Sequence, residues 1–282
     1  MDKSKKKHWE ILSQTSLFDL RLKEIIEYQD LLWLLVKRDF VSFYKQTILG
    51  PLWFFLQPIF TVVMFSLIFG GVAGIPTDGI PKPLFYLAGV ILWNYFSDCL
   101  IKTSTVFRDN ASIFGKVYFP RLIMAFSIIF SNLIRFAVQF SLFLILMAYY
   151  YFTGGVFHIT RYILLFPILL ILMACLGLGL GIIISALTIK YRDFAYLISF
   201  GVPLIMYSST VAYPLSAAPL KFFNIIKFNP LTSIIEAFRV GFLGAGSLSW
   251  NLLGYTTVLT ALILIIGILT FNKVQKNFVD TV

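Results

Sequence analysis

Residues 162–188 have the sequence YILLFPILLILMACLGLGLGIIISALT, which contains no charged side chain. This stretch exceeds the roughly 20 apolar residues that an α-helix needs to cross a lipid bilayer. Similar runs recur along the chain, and short joints with charged, Pro or Gly residues separate them. A transmembrane β-barrel would require segments of alternating polarity, whereas these runs are continuously apolar. The chain is therefore predicted to be an all-α membrane protein.

The overall composition agrees with that prediction. With 59% hydrophobic and 13% charged residues, the chain has too little polar surface to cover a water-soluble protein of 282 residues. The apolar runs predict six membrane-spanning helices, at residues 51–72, 84–107, 122–152, 162–188, 194–212 and 252–271. The chain then divides into an N-terminal segment (residues 1–50), a six-helix transmembrane domain (51–272) and a C-terminal tail (273–282).

The N-terminal segment mixes charged and apolar positions. Within residues 25–45, apolar positions such as Leu31 and Leu35 alternate with Lys37 and Arg38, a pattern typical of a helix lying on the membrane surface. No long apolar stretch follows the lysines of residues 3–7, so we expect no secretory signal. The sequence predicts an interfacial amphipathic helix before the first span.

The basic residues predict the orientation of the chain. If the N-terminus is inside the cell, sixteen of the 23 Lys and Arg residues flank the spans on the cytoplasmic side and five on the opposite side. Both termini are therefore predicted to be cytoplasmic, which requires an even number of crossings. This distribution, together with anionic lipid, explains the net charge of +10. We expect membrane lipids, and not nucleic acid, as partners of these basic residues.

Residues 213–250 are apolar but are interrupted by three prolines, and they carry Glu236 and Arg239. These interruptions favour re-entrant half-helices on the outer side over a further crossing. Ser233 and Glu236 have the spacing of a capping box, which predicts a short helix beginning at about Leu231.

The sequence contains none of the motifs expected of a catalytic site. It lacks the GxxxxGK[ST] loop that binds nucleotide phosphates, and its two histidines and two cysteines have no partners at metal-ligand spacing. The glycines at 177, 179 and 181 lie within an apolar run, and Gly177 and Gly181 have GxxxG spacing. We interpret these glycines as a surface for close helix packing. No catalytic residue and no metal site are expected.

Ionisable and amide side chains inside the spans indicate faces that avoid lipid, because a charge at the bilayer centre costs at least ~2.5 kcal/mol. Asn132, Arg135 and Gln139 form one polar stripe on the third span. Asp98 and Lys102 are spaced i, i+4 on the second span. Two interpretations remain open: an interhelical bond from Asp98 to Arg135 that holds the bundle together, or a role in guiding an anionic substrate.

Aromatic residues make up 17% of the chain and many lie near the ends of the predicted spans. They could form interfacial belts, or their rings could line a passage on which sugars stack. The residues concerned are Phe85, Tyr86, Trp93, Tyr95, Phe96, Tyr149, Tyr150, Tyr151, Tyr207, Tyr213, Phe222 and Phe223.

Four strings carry a resemblance to a known family. They are YQDLLWLLVKRDFVSFYKQTILGPLWFFLQP (residues 28–58), PLFYLAGVILWNYFS (83–97), GKVYFPRL (115–122) and NPLTSIIEAFR (229–239). Together, in this order, they resemble the ABC-2 type permeases that export lipid-linked polysaccharides. The resemblance extends over nearly the whole chain.

The resemblance implies a transport subunit and not an enzyme. Such a subunit forms a homodimer around a channel in the bacterial inner membrane and binds two copies of an ABC nucleotide-binding subunit. ATP and Mg would be bound by that partner, and this chain would bind no cofactor. The implied cargo is an undecaprenyl-diphosphate-linked polysaccharide, O-antigen in the first instance, with teichoic acid or capsular polysaccharide as the alternative.

Two more distant alternatives differ in the sequence features they require. An integral-membrane glycosyl- or acyltransferase should show clustered carboxylates or a His/Asp pair at one membrane face, and the chain has only scattered Asp and Glu. A secondary transporter would favour inverted repeats with broken helices at the midplane, and the sequence shows no such repeat.

The resemblance also suggests which residues belong to each part of the transporter. Residues 30–45 and 110–120 would contact the ATPase, with Asn110 as a helix cap. The ATPase-coupling set is Lys37, Arg38, Asp39, Asn110, Phe114, Lys116, Val117, Tyr118, Phe119, Pro120 and Arg121. The expected channel and substrate set is Asn132, Arg135, Gln139, Asp98, Lys102, Tyr95 and Trp93. The expected outer mouth consists of Tyr213, Phe222, Phe223, Glu236 and Arg239.

Overall fold

A computed structural model describes residues 26–45, 47–110, 113, 119–191 and 193–278. All regular secondary structure in these ranges is helical, which confirms the predicted all-α class. The α-helices are α1 (Gln29–Tyr44), α2 (Trp53–Phe65), α3 (Lys82–Ser104), α4 (Val106–Asp109), α5 (Leu122–Phe152), α6 (Phe166–Lys190), α7 (Asp193–Tyr207), α8 (Phe223–Lys227), α9 (Pro230–Leu243) and α10 (Trp250–Phe278). Short 3-10 helices cover Gly50–Leu52, Arg161–Leu165 and Leu215–Ala217, and a π-helical turn covers Ser66–Val72.

Five helices in the described ranges are long and apolar enough to cross a membrane. They are Gly50–Val72, Lys82–Ser104, Leu122–Phe152, Arg161–Thr188 and Trp250–Lys273. These helices coincide with five of the six predicted spans. The remaining one, α7, has 15 residues, or about 22 Å of helix, which is shorter than the hydrocarbon core of about 30 Å. Six crossings therefore stay a prediction.

The predicted fifth span extends too far, because α7 ends at Tyr207 and not at residue 212. The hydroxyls of Ser208 and Ser209 donate to the carbonyls of Ile205 and Met206, one turn back. Side chains that bond to local backbone groups compete with the helical ladder, and turns follow at this point.

Helix α3 lies at the centre of the bundle, where it packs against α5 and α6. Gly177 and Gly181 of α6 face α3 so closely that a Cβ atom at position 181 would lie 2.6 Å from the Cβ of Thr103. Gly179 faces the opposite way and meets Gly267 of α10. The predicted glycine packing surface is confirmed, and the structure adds a second one on the other side of α6.

The short helix predicted near Leu231 is present as α9, but its cap differs from the prediction. Asn229, and not Ser233, caps the helix, and its Oδ1 accepts from the backbone N–H of Leu231 at 3.0 Å. Ser233 instead lies within the helix and donates to the carbonyl of Pro230. The predicted capping box does not form because the helix already begins at Pro230, so the cap is Asn229, four residues before Ser233.

Candidate functional site

Three pairs of polar side chains connect α3 and α5 in the middle of the bundle. The two helices run antiparallel, so residues spaced i, i+4 and i+8 on α3 meet successive turns of α5. Asn94 pairs with Gln139, Asp98 with Arg135 and Lys102 with Asn132. We call these six residues the polar ladder.

The contacts of the ladder differ in strength. Lys102 Nζ donates to Asn132 Oδ1 at 2.8 Å, and Asn94 Nδ2 donates to Gln139 Oε1 at 3.3 Å. Asp98 Oδ2 lies 3.7 Å from Arg135 Nη1 and 3.9 Å from Lys102 Nζ. The Asp98 carboxylate therefore lies at ion-pair distance from two cations, Arg135 and Lys102, so the ladder carries a net positive charge.

One edge of the ladder is open in the single chain. The side chains of Asp98 and Lys102 keep 43% and 35% of their surface exposed, whereas that of Arg135 keeps 11%. Ser97 and Ile101, which immediately precede Asp98 and Lys102 on α3, are partly exposed as well, whereas most other residues of this helix are buried. Because charged groups are costly in hydrocarbon, this face is suited to water or protein and not to lipid chains.

Helix α2 borders the ladder through Phe54. The guanidinium carbon of Arg135 lies 5.5 Å from the centroid of the Phe54 ring, within the range of a cation–π contact. Phe54 also lies 5.8 Å from Phe40 of α1, measured between ring centroids. The ladder thus touches α2, and through it the N-terminal helix.

The structure brings together the polar stripe and the Asp98–Lys102 pair that the sequence indicated, and it adds a residue that the sequence analysis missed. The stripe of Asn132, Arg135 and Gln139 does face the pair Asp98 and Lys102. Asn94 was missed, although it lies four residues before Asp98, the same spacing that separates Asp98 from Lys102.

The two aromatic residues of the expected channel set lie elsewhere. Trp93 and Tyr95 are buried in the protein core, next to Phe96 and Phe136 respectively, and not on the open edge of the ladder. Neither ring meets open space in this conformation.

The rings near the span ends divide into two groups. Phe85, Tyr86 and Phe96 belong to the core, whereas Tyr149 and Tyr151 are exposed. A further cluster of rings at the junction of α5, α6 and α9 was not singled out from the sequence. It comprises Phe136, Phe140, Phe143, Phe166, Phe238 and Phe242.

The charged pair of the expected outer mouth lies inside the protein. Arg239 is 1% exposed and Glu236 is 1% exposed, and Arg239 Nη1 lies 3.3 Å from Glu236 Oε1. Nη1 also donates to the carbonyl of Thr210 at 2.6 Å, and Nη2 donates to that of Val211 at 3.1 Å. The guanidinium stands 3.6 Å from the Phe85 ring centroid. Arg239 thereby joins α9, α3 and the turn after α7.

The other oxygen of Glu236 is also used, because Oε2 accepts from the backbone N–H of Ser247 at 2.9 Å. Burial lowers the pKa of the Arg239 guanidinium from its ordinary value, and the adjacent Glu236 carboxylate opposes that shift. Of the remaining outer-mouth residues, Phe222 is exposed and Tyr213 and Phe223 are partly exposed.

Comparison with known proteins identifies the family. The sequence model of the ABC-2 type transporter family matches residues 30–243. The chain belongs to the ABC-2 type transporter family. It is thus a multi-pass membrane protein, and its family implies partnership with an ABC ATPase subunit.

Relatives of this ABC-2 chain are similar along most of their length. The O-antigen export system permease protein RfbA of Klebsiella pneumoniae is 27% identical over 93% of this chain and 98% of that protein. The protein of the same name from Myxococcus xanthus is 28% identical over 78% of this chain and 83% of that protein. The polysialic acid transport protein KpsM of Escherichia coli is 24% identical over 81% of this chain and 87% of that protein.

The residues expected to couple this ABC-2 chain to its ATPase are only partly described. Phe114, Lys116, Val117 and Tyr118 lie outside the described residues. Asn110 is at the end of α4, where its Nδ2 donates to the carbonyl of Val106 at 2.9 Å. It therefore caps the C-terminus of α4. Most of the segment that the sequence predicts it to cap, residues 111–118, lies outside the described residues, so that role stays a prediction.

The described coupling residues gather at one end of the bundle. Leu32 and Leu35 of α1 share an apolar core with Phe107, Phe119 and the beginning of α5. Lys37 and Arg38 project from α1, and Arg38 pairs with Asp39 at 2.8 Å. Pro120 and Arg121 immediately precede α5, and burial lowers the pKa of Arg121. The two segments assigned to coupling are thus neighbours, although their roles stay a prediction.

Proposed function

We propose that this chain is the transmembrane subunit of an ATP-driven exporter that moves a lipid-linked polysaccharide, O-antigen in the first instance, across the bacterial inner membrane. The similarity to the Klebsiella O-antigen permease along 93% of this chain supports this assignment most strongly. Because the similarity covers 98% of that protein, it concerns the whole subunit and not a shared fragment.

The assignment is tested by deleting the gene and examining the glycan. We expect surface polysaccharide to disappear and its lipid-linked precursor to accumulate inside the cell, with both effects reversed by the wild-type chain. Normal surface polysaccharide in the deletion strain would refute export as the function. The composition of the lost glycan distinguishes O-antigen from capsule, the cargo favoured by the similarity to KpsM.

Within this function, the polar ladder is proposed to face the translocation path. Its net positive charge and its open edge suit a hydrated passage for a diphosphate-bearing cargo, and the same groups would be costly against lipid. Two copies of the chain, with the ladders turned toward each other, would enclose such a path. Native mass spectrometry of the purified complex should give two copies of this chain and two of the ATPase.

The orientation follows from the charge distribution. With both termini in the cytoplasm, α1, α4 and the beginning of α5 would face the ATPase, and α8 and the loop after the π-helical turn would face outward. Labelling of single cysteines by a membrane-impermeant maleimide in intact spheroplasts tests this placement. A cysteine at Ser216 should react and one at Ser42 should not.

A further inference from the structure

Phe54 of α2 connects the polar ladder to the N-terminal helix. The centroid of its ring lies 5.5 Å from the guanidinium carbon of Arg135 and 5.8 Å from the ring centroid of Phe40 in α1. Phe54 is 4% exposed, so its ring is almost completely enclosed by protein. One buried side chain therefore contacts both the ladder and the helix assigned to ATPase coupling.

The ion pair within the ladder holds the Arg135 guanidinium only loosely. Its distance of 3.7 Å to Asp98 exceeds the roughly 2.7–2.9 Å of a close charge-assisted hydrogen bond. The Asp98 carboxylate is also partly exposed and faces Lys102. An aromatic face attracts a guanidinium and can stack with its plane. The Phe54 ring is therefore suited to set the position of this guanidinium beside the open edge.

A charge on α1 acts on the same cations. Asp39 precedes Phe40 in the sequence. Its carboxylate lies close enough to Arg135 and Lys102 to attract both electrostatically. The Asp39 side chain is 25% exposed, so solvent screens this attraction only in part. Helix α1 thus reaches the ladder by two routes, the ring of Phe54 and the charge of Asp39.

The turn of α2 that carries Phe54 is weakened by a proline. Pro58 lies inside α2 and has no N–H to donate to the carbonyl of Phe54, four residues earlier. A helix bends most easily where a proline interrupts its backbone hydrogen bonds. The beginning of α2, with the Phe54 ring, can therefore follow a movement of α1 while the rest of the helix stays packed.

We propose that Phe54 is a positioning residue, which holds the Arg135 guanidinium beside the open edge of the ladder and shifts it when α1 moves with the ATPase. This role rests on the proposed function, in which α1 faces the ATPase and the ladder faces the path. A displacement of α1 moves Phe40, the contact between the two rings moves Phe54, and the guanidinium follows the ring. The state of the ATPase thereby reaches the ladder.

The reactivity of a cysteine at the open edge tests the proposal without any cargo. Ser97→Cys is introduced together with Cys175→Ala, because Ser97 and Cys175 are partly exposed whereas Cys99 is buried. The full chain is purified with its ATPase and treated with a small methanethiosulfonate reagent, with and without a non-hydrolysable ATP analogue. We expect the analogue to change the modification rate about fivefold or more when Phe54 is present, and less than about twofold in Phe54→Leu.

Three further variants distinguish positioning from packing. Phe54→Tyr keeps the aromatic face and should retain the response to the analogue, whereas Phe40→Leu should lose it as Phe54→Leu does. Phe65→Leu is the matched control, because it removes another buried ring of α2, one that packs against Phe69 and Tyr86. This control should keep the response. Size-exclusion profiles of the complexes verify folding and ATPase binding.

The proposal is overturned if Phe54→Leu responds to the analogue as the wild type does, or if the wild type shows no response. It is equally overturned if Phe65→Leu loses the response to the same extent, since Phe54 would then act through general packing. Failure of the proposed function has a different signature. A normal response of the complex, combined with unchanged surface polysaccharide after deletion of the gene, would refute polysaccharide export and support the role of Phe54.

Discussion

Asp98 and Arg135 face each other across the α3–α5 interface, with Asp98 Oδ2 3.7 Å from Arg135 Nη1. Each residue also touches a second group: Asp98 shares its carboxylate with Lys102, and Arg135 stands over the Phe54 ring. The contact between the two helices is therefore a loose ion pair at the centre of a charged network. The two sequence interpretations, a structural bond and substrate guidance, both remain compatible with this geometry.

Replacing Arg135 separates the two interpretations. If Arg135 guides an anionic cargo, Arg135→Gln should reduce export about tenfold or more while dimer assembly stays intact, because the positive charge of the ladder is lost. Export is measured as surface polysaccharide, and assembly by native mass spectrometry. Asp98→Asn, which removes the opposing carboxylate and keeps the cation, is the matched control and should affect export less. Loss of the dimer in Arg135→Gln would instead support the structural bond.

Replacing residues 116–120 with Gly and Ser tests the coupling segment. We expect this change to abolish co-purification of the ATPase or stimulation of its activity, because these residues belong to the string that resembles the coupling region of the family. The same replacement at residues 153–157, on the predicted outer side, should leave the ATPase bound. Normal ATPase binding and stimulation in the first variant would show that coupling occurs elsewhere.

The buried pair of Glu236 and Arg239 should be essential for stability. Arg239→Gln leaves the Glu236 carboxylate buried without its cation, a change that typically costs about 3–5 kcal/mol. We expect a large fall in the melting temperature measured by fluorescence in detergent. Arg239→Lys should not restore it, since one ammonium cannot reach the carbonyls of Thr210 and Val211 as the two arms of the guanidinium do.

The matching double variant provides the control for that experiment. Glu236→Gln combined with Arg239→Gln removes both charges, and its melting temperature should lie above that of Arg239→Gln alone. Equal melting temperatures in the single and double variants would mean that the uncompensated carboxylate contributes little.

The glycine contacts of α6 should tolerate no side chain. Gly181→Ala places a Cβ atom 2.6 Å from the Thr103 Cβ, so helices α3 and α6 must separate, at a cost of about 1–3 kcal/mol. Gly201→Ala in α7 meets open space and should be neutral or slightly stabilising, since alanine favours a helix over glycine. Thermal unfolding of the two variants compares the same substitution at a crowded and an open position. Equal stability would show that the α3–α6 contact adapts without cost.

The sequence by itself determined the features that depend on local chemistry. Apolar runs marked five helices that the structure also has, because a run longer than about 20 apolar residues has few alternatives to a spanning helix. The GxxxG spacing marked a packing face, and the polar stripe of Asn132, Arg135 and Gln139 followed from helical periodicity alone. Such patterns lie within one element and need no knowledge of its neighbours.

Only the tertiary structure decided which of these elements meet. The pairing of Asn94 with Gln139 joins residues 45 positions apart, and Arg239 reaches a carbonyl of Phe85 that is 154 positions away. Neither pairing leaves a local pattern in the sequence, because backbone carbonyls carry no residue identity and any polar side chain in a span seeks some partner. The sequence suggested that Arg239 belongs to the outer mouth. In the folded chain its side chain is buried and connects three segments.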